Sequence, residues 1–153
     1  MSQLASACSS AVLPVDRILR PRSIVIVGAS ADPRSFGGFV QGNLDRFGYD
    51  GTLHLVSRSS DEIQGRPCVK TIDALPEGID LAVLAIPESG VMDAVQALAA
   101  RRCHAAVLFA SGYAEAGEEG QARQQALAEV ARAAGILLVG PNCMGFTNLA
   151  AGV

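Results

Sequence analysis

The sequence predicts an α/β fold: a Rossmann-like, doubly wound parallel sheet in three layers, with helices on both faces. Three observations predict it. Apolar runs such as Ser23–Val27, Ala105–Ala110 and Ile136–Val139 are continuous rather than alternating, as in strands buried on both faces. Stretches with helical spacing separate them, the arrangement of strand–helix–strand units. Two runs break on glycine and other turn-forming residues, at Gly28-Ala29-Ser30 and at Gly140-Pro141-Asn142-Cys143-Met144-Gly145. A parallel strand must turn sharply to leave the sheet, and ligands of open α/β sheets sit outside those carboxyl ends. The two breaks therefore mark a nucleotide-type site.

The elements follow in order. Val15–Leu19 reads as a short helix or turn closed by Pro21. Ser23–Val27 is the first strand. Phe36, Phe39, Val40, Leu44 and Phe47 recur at helical spacing, so a helix spans Phe36–Phe47, and Gly48 stops it. Thr52–Val56 is the second strand. A polar stretch, Ser57–Gln64, leads to an extended piece at Pro67–Val69 and a single turn at Thr71–Leu75. The third full strand is Asp80–Ile86, ended by Pro87. Glu88–Arg101 is helical, acidic at its start and basic at its end, as the helix dipole favours. Ala105–Ala110 is the fourth strand, Glu118–Ala134 a helix ended by Gly135, and Ile136–Val139 the fifth strand. Between the second and third strands there is room only for a degraded edge strand at Cys68-Val69. The expected sheet order is edge, second, first, third, fourth, fifth, with the switch point between the first and third strands.

Composition narrows the function classes. A chain of 153 residues has the size of one domain and can bury a sizeable core. Half of it is apolar and only 5% aromatic, which suits aliphatic helix-on-sheet packing. A net charge of −3 supplies no basic field, so nucleic acid is not an expected partner. The four cysteines show no C-x-x-C spacing, which argues against a zinc site or disulfide framework and for a reducing, cytoplasmic setting. No apolar run reaches membrane-spanning length, so no membrane partner is expected. Met1–Leu13 lacks the positive start of a secretory signal. Residues 1–14 read as a flexible tail and 15–153 as the domain.

The loop after the first strand runs Gly28-Ala29-Ser30-Ala31-Asp32-Pro33-Arg34-Ser35-Phe36-Gly37-Gly38. Only the first glycine of a G-x-G-x-x-G dinucleotide fingerprint is in place. The longer loop still offers backbone N–H groups and a helix N-terminus to phosphate oxygens. Ser30 and Ser35 add hydroxyls, and Arg34 a charge. After the second strand, NAD enzymes carry an acidic residue for the free ribose hydroxyls. Here the residues are Ser57-Arg58-Ser59-Ser60. A cation flanked by hydroxyls suits a ribose bearing phosphate, which leaves NADP and coenzyme A as ligands.

Taken together, Gly28-Ala29-Ser30 with Asp32-Pro33, Gly51, Ile63-Gln64-Gly65, Leu75-Pro76, Asp80-Leu81-Ala82-Val83, Glu115-Ala116-Gly117-Glu118-Glu119-Gly120 and Gly140–Gly145 resemble the CoA-binding domain of NDP-forming acyl-CoA synthetases, relatives of the succinyl-CoA ligase alpha subunit. The resemblance spans Leu19 to Asn148. It implies a domain that binds coenzyme A and, alone, makes no acyl-CoA. The phosphorylated histidine of the family belongs to a later domain. Flavodoxin-like and ATP-grasp domains, in the same or a partner chain, are the implied partners. The implied ligand contacts are Gly28, Ala29, Ser30, Pro33, Ser35, Phe36 and Gly37 from the first loop, and Ser57 and Arg58 from the second strand end. Pro87, Ser111, Gly112, Tyr113, Asn142 and Cys143 follow from the later strand ends. Two departures stand out. The family's V-N-P-K appears as Val56-Ser57-Arg58-Ser59, without the lysine, and its S-A-G-F as Ala110-Ser111-Gly112-Tyr113.

No catalytic residue or metal ligand is expected. His54 lies inside the second strand and His104 at the amino end of the fourth, away from the strand ends that carry sites. Cys143 has no histidine nearby to activate its thiol and reads as a packing or ligand-lining residue. Glu115 reads as the start of a solvated acidic stretch. The other class to consider is an NADP-binding oxidoreductase or redox sensor, favoured by Arg58 and fold analogy. A stand-alone CoA sensor is the third reading.

Overall fold

Strands buried on both faces need helices above and below them, and the chain supplies these in alternation. The computed structural model describes residues 14–153. In chain order the elements are α1 (Pro14–Leu19), β1 (Ser23–Val27), α2 (Phe36–Arg46), β2 (Thr52–Val56), β3 (Glu62–Ile63), β4 (Arg66–Val69), β5 (Leu81–Leu84), α3 (Val91–Ala100), β6 (Ala105–Leu108), α4 (Glu118–Ala134) and β7 (Leu137–Val139). One seven-stranded sheet forms in the order β3-β4-β2-β1-β5-β6-β7. Its pairs are parallel except β3 with β4. The switch point falls between β1 and β5, as the apolar runs predict. The proposed N-terminal tail lies almost wholly outside the described residues; only Pro14, which opens α1, is seen.

Three expectations need correction. The strand at Cys68-Val69 is not the edge. The polar stretch before it contains β3, which folds back antiparallel as Glu62↔Pro67 and Ile63↔Arg66. Ile63 is the only large apolar residue there and is buried, which is why so short a strand holds. The helix expected from Glu88 starts as a 3₁₀ turn, Glu88–Gly90, and becomes α-helical at Val91. β5 and β6 end at Leu84 and Leu108, so Ala85-Ile86 and Phe109-Ala110 belong to the loops above the sheet.

The period of two along each strand divides the core. Val25, Val27, Ala82, Leu84, Ala106 and Leu108 face Val91, Val95 and Leu98 of α3 and Leu127 and Ala131 of α4. Ile24, Ile26, Leu81, Val83, Ala105 and Val107 face the other way, toward Ile18 of α1 and Leu44 of α2. The second face is the thinner one. α2 buries Gly37, Gly38, Gln41 and Leu44. Its phenylalanines stay exposed: Phe36 at 54%, Phe39 at 58% and Phe47 at 42%. The apolar spacing is real, but the helix is rotated so that the stripe looks sideways. The two glycines set that rotation. A Cβ on Gly37 would stand 2.2 Å from Gly28 O, and one on Gly38 2.1 Å from Asp32 O. Here the helix rests on loop backbone, so side chains at these positions are forbidden.

At the amino end of the sheet, Asp80 ties three elements together. Its buried carboxylate accepts from Arg17 Nη1 at 3.0 Å and from the Arg22 backbone N–H at 2.9 Å. Its own N–H donates to Ser23 Oγ at 3.0 Å. Removing Asp80 leaves the Arg22 N–H without its acceptor and Arg17, 31% exposed, without its counter-charge. Asp80→Ala is expected to lower stability by about 3 kcal/mol in urea denaturation. Arg17→Ala should cost clearly less, because the Arg22 N–H remains on the carboxylate.

Candidate functional site

β1 ends at Val27, and Gly28 turns the chain at φ +90°. The Gly28 and Ala29 N–H groups both donate to Val56 O, at 3.1 and 3.0 Å, which lashes the loop to the end of β2. Within the loop the Asp32 N–H donates to Ser30 Oγ at 3.1 Å. The Ser35 hydroxyl donates to Asp32 O at 2.7 Å and accepts from the Gly38 N–H at 3.1 Å, capping α2. By position, the N–H groups of Phe36 and Gly37 have no acceptor within the helix. They head the long loop together with the Ser30 hydroxyl, and the α2 dipole favours an anion there. Pro33 is exposed in the same loop.

Arg34 does not add a free charge. Its guanidinium grips Asp32 with two hydrogen bonds, Nε to Oδ1 at 3.0 Å and Nη2 to Oδ2 at 3.1 Å. That fork holds the Asp32 carboxyl below its usual range and pushes Arg34 up. The cation at the neighbouring strand end is different. Arg58 is exposed and makes no hydrogen bond or ion pair with any described residue. Lys70, close by in the chain, is engaged with Asp61 at 2.7 Å and with Ser60 O at 2.9 Å. Ser57 is buried: its N–H donates to Val69 O and its hydroxyl accepts from the Ser60 N–H. It shapes the turn that presents Arg58.

Above β1, β5 and β6 runs a groove of about 450 Å³. Ser35 and Phe36 of the first loop, Pro87 after β5, and Phe109 and Ser111 after β6 line it together. Phe36 stacks on Phe109 with centroids 5.0 Å apart and planes 17° apart. Sequence reasoning missed this pair, because the two rings lie 73 positions apart and only the sheet brings them together.

Three sequence-derived contacts change character. Tyr113 is 2% exposed, and its ring packs in the core among Leu127 and Ala131 under α4 rather than facing a ligand. The close seat of α4 explains this: a Cβ on Gly120 would stand 1.8 Å from Tyr113 O. Ala29 and Gly37 are buried and offer only backbone. Glu115 is exposed, as the sequence reading has it, and it also ties down the loop. One carboxylate oxygen accepts from the Gly112 N–H at 2.6 Å and from the Tyr113 N–H at 3.2 Å. Its own backbone N–H, followed by those of Gly112 and Tyr113, holds its carboxyl below the usual range. Arg123 closes the loop from the other side, donating to Gly112 O at 2.7 Å. The sequence signal was an acid three residues beyond a strand-end glycine.

At the end of β7, Asn142 adopts φ +50° and donates its N–H to Ala110 O at 2.9 Å. The half-buried Cys143 thiol donates to Leu108 O at 3.3 Å. A second carbonyl, Val139 O, lies 3.6 Å from the same sulfur. The histidines sit where the sequence puts them. His54 is within β2, with its pKa lowered by burial; His104 precedes β6, lowered by burial and by nearby Arg17. Among the described residues no cluster of His, Cys, Asp or Glu is arranged to hold a metal ion, and no helix is long and apolar enough to cross a membrane.

A parallel sheet with a capped glycine loop at its switch point defines a nucleotide-binding domain of Rossmann type. Residues 22–148 match the CoA binding domain family, and the chain belongs to that family. It is 42% identical over 134 residues to a trans-feruloyl-CoA synthase from an unknown prokaryotic organism, covering 88% of this chain and 19% of that protein. It is 35% identical to the ADP-forming acetate–CoA ligase I of Archaeoglobus fulgidus, with the same coverage. Among solved structures, acetyl-coenzyme A synthetase 1 of Ca. Korarchaeum cryptofilum, in complex with phosphate and ADP, superposes with a TM-score of 0.85 at 27% identity. That match covers 91% of this chain and 30% of the other. The chain is thus homologous to one part of ADP-forming acyl-CoA synthetases and spans about a fifth of the curated relatives' length.

The loop geometry makes a direct prediction. A Cβ on Gly28 would stand 2.3 Å from Ala85 O, and φ is positive. At Gly65 φ is also positive, but a Cβ would meet nothing within 4 Å. Gly28→Ala should cost about 3 kcal/mol from backbone strain plus overpacking, and Gly65→Ala about 1 kcal/mol from strain alone. Paired urea melts check the difference.

Proposed function

We propose that this chain binds coenzyme A, as the CoA-binding domain of an NDP-forming acyl-CoA synthetase. The observation that carries the reading is the exposed Arg58, free of any partner among the described residues, beside the capped loop at the head of α2. The loop and the helix head suit the pyrophosphate, and Arg58 suits the 3′-phosphate. The groove past Pro87 and Ser111 suits the pantetheine arm on its way to Asn142 and Cys143. Ser30, Ser35 and the outward N–H groups orient the phosphates, while Ser57 and Gly28 hold the loops that present them. The coenzyme supplies the thiol; the residues of this chain bind and orient it.

Phosphoryl transfer needs a carrier and a second nucleotide site. His54 and His104 do not stand at strand carboxyl ends, so the remaining chemistry belongs to other domains, of the flavodoxin-like and ATP-grasp types. The competing NADP reading also draws on Arg58, for a 2′-phosphate, but has no hydride-transfer site to offer.

Calorimetric titration separates the two readings. CoA should bind, with NADPH clearly weaker. Arg58→Ala should weaken CoA by about 1.5–3 kcal/mol, the scale of a hydrogen bond to a charged group, and dephospho-CoA hardly at all. Tighter binding of NADPH than of CoA would sink the reading. A second measurement concerns turnover. Incubated with labelled ATP, CoA and a carboxylic acid, this chain should yield neither phosphohistidine nor thioester. A stoichiometric phosphohistidine at His54 or His104 would overturn the domain reading.

A further inference from the structure

The chain contains one lysine, Lys70, and the sheet brings it to the strand end that presents Arg58. β4 runs parallel to β2 with Leu55 opposite Cys68 and Val56 opposite Val69. The two strands end level, and the Ser57 N–H donates to Val69 O at 3.0 Å. Lys70 therefore leaves the sheet beside Ser57 and Arg58, although it lies twelve positions after Arg58 in the chain.

Its ammonium reaches back over the turn between the strands. It donates to Ser60 O at 2.9 Å and pairs with Asp61 Oδ1 at 2.7 Å. The turn is fixed from two other directions. The Ser60 N–H donates to Ser57 Oγ, and the Cys68 N–H donates to Asp61 O at 2.8 Å. An ammonium has three N–H donors. Two are used, and the third has no acceptor among the described residues. Lys70 and Asp61 are 49% and 94% exposed, so their pair is weak and easily shared with another anion.

Charge decides what that third donor is for. A phosphate monoester carries about −1.5 to −2 charges at pH 7, and Arg58 supplies a single positive one. Asp61 lies in the same turn, and its carboxylate would repel a phosphate unless a cation stood against it. We propose that Lys70 is the second cation of the ribose-phosphate subsite. It donates its third N–H to the 3′-phosphate that Arg58 holds, while keeping its bond to Ser60 O. The inference rests on the CoA reading above and adds a residue that selects for the phosphorylated ribose, supplied by the neighbouring strand.

The test titrates CoA and dephospho-CoA into the unaltered chain and its variants. Lys70→Met should weaken CoA about tenfold, or about 1.4 kcal/mol, and leave dephospho-CoA within about twofold. Lys70→Met combined with Arg58→Ala should bind CoA no more tightly than dephospho-CoA. Adding Asp61→Asn to Lys70→Met should leave the tenfold loss in place. In the unaltered chain, isotope-labelled lysine gives one side-chain signal. That signal should shift with CoA and stay still with dephospho-CoA.

CoA binding that Lys70→Met does not change would overturn the inference and leave the coenzyme reading standing. Equal losses for the two ligands would also overturn it, by showing that Lys70 holds the turn and does no more. Full recovery on adding Asp61→Asn would reduce Lys70 to a counter-charge for Asp61. No binding of CoA by the unaltered chain would remove the coenzyme reading together with the inference.

Discussion

The close approach of backbone to backbone around Gly28 is the constraint on which the site depends. At this point β1 leaves the sheet between the ends of β2 and β5, and α2 must begin almost on top of the turn. Three glycines make it possible. Gly28 lies against Ala85 O, Gly37 against Gly28 O, and Gly38 against Asp32 O, each nearer than any Cβ allows. With the helix seated that low, Ser35 caps it and the two uncapped N–H groups of the first turn head the loop. The same seating fixes the rotation of α2. That rotation turns Gln41 and Leu44 inward and leaves Phe36, Phe39 and Phe47 exposed along an apolar groove. A single steric requirement therefore shapes both the capped head of the helix and the apolar groove along its side.

Several charged side chains around that framework hold loops in place. Asp32 takes up Arg34, Asp61 takes up Lys70, and Glu115 takes up the N–H groups of the loop after β6. Each of these pairs organises a turn. Exposed pairs of this kind contribute little to stability, and their value is in holding loop geometry. Arg58 has no such partner among the described residues, at the strand end where a phosphorylated ribose is expected. At the opposite end of the sheet Asp80 is the structural counterpart, a buried carboxylate that joins α1, β1 and β5 where no ligand is expected.

The two faces of the sheet are unequal. α3 and α4 cover one face with aliphatic side chains. The other face carries α1, α2 and the segment after β7, with a channel between them. Aromatic residues are kept off the first face except for Tyr113, and the five phenylalanines are concentrated on the second.

The sequence by itself determined the element order, the parallel sheet and its switch point, because buried parallel strands leave continuous apolar runs and glycine breaks that local inspection detects. It also determined the family, through residues at strand ends whose types are dictated by backbone approach. It placed His54 and His104 away from the strand ends, since strand position can be read from neighbours. Tertiary structure decided the rest. β3 escaped because two residues carry no period. Tyr113 went to the core because α4 sits directly on its carbonyl, a contact made with Gly120 that no local pattern records. The sequence presented Arg34 and Arg58 as equal cations; only the folded loop showed that Arg34 is paired with Asp32 while Arg58 has no partner among the described residues. Phe36 and Phe109 became one stacked pair because β1 and β6 lie two strands apart in the sheet. Contacts of that kind depend on strand order and helix rotation, which arise only when the whole domain packs.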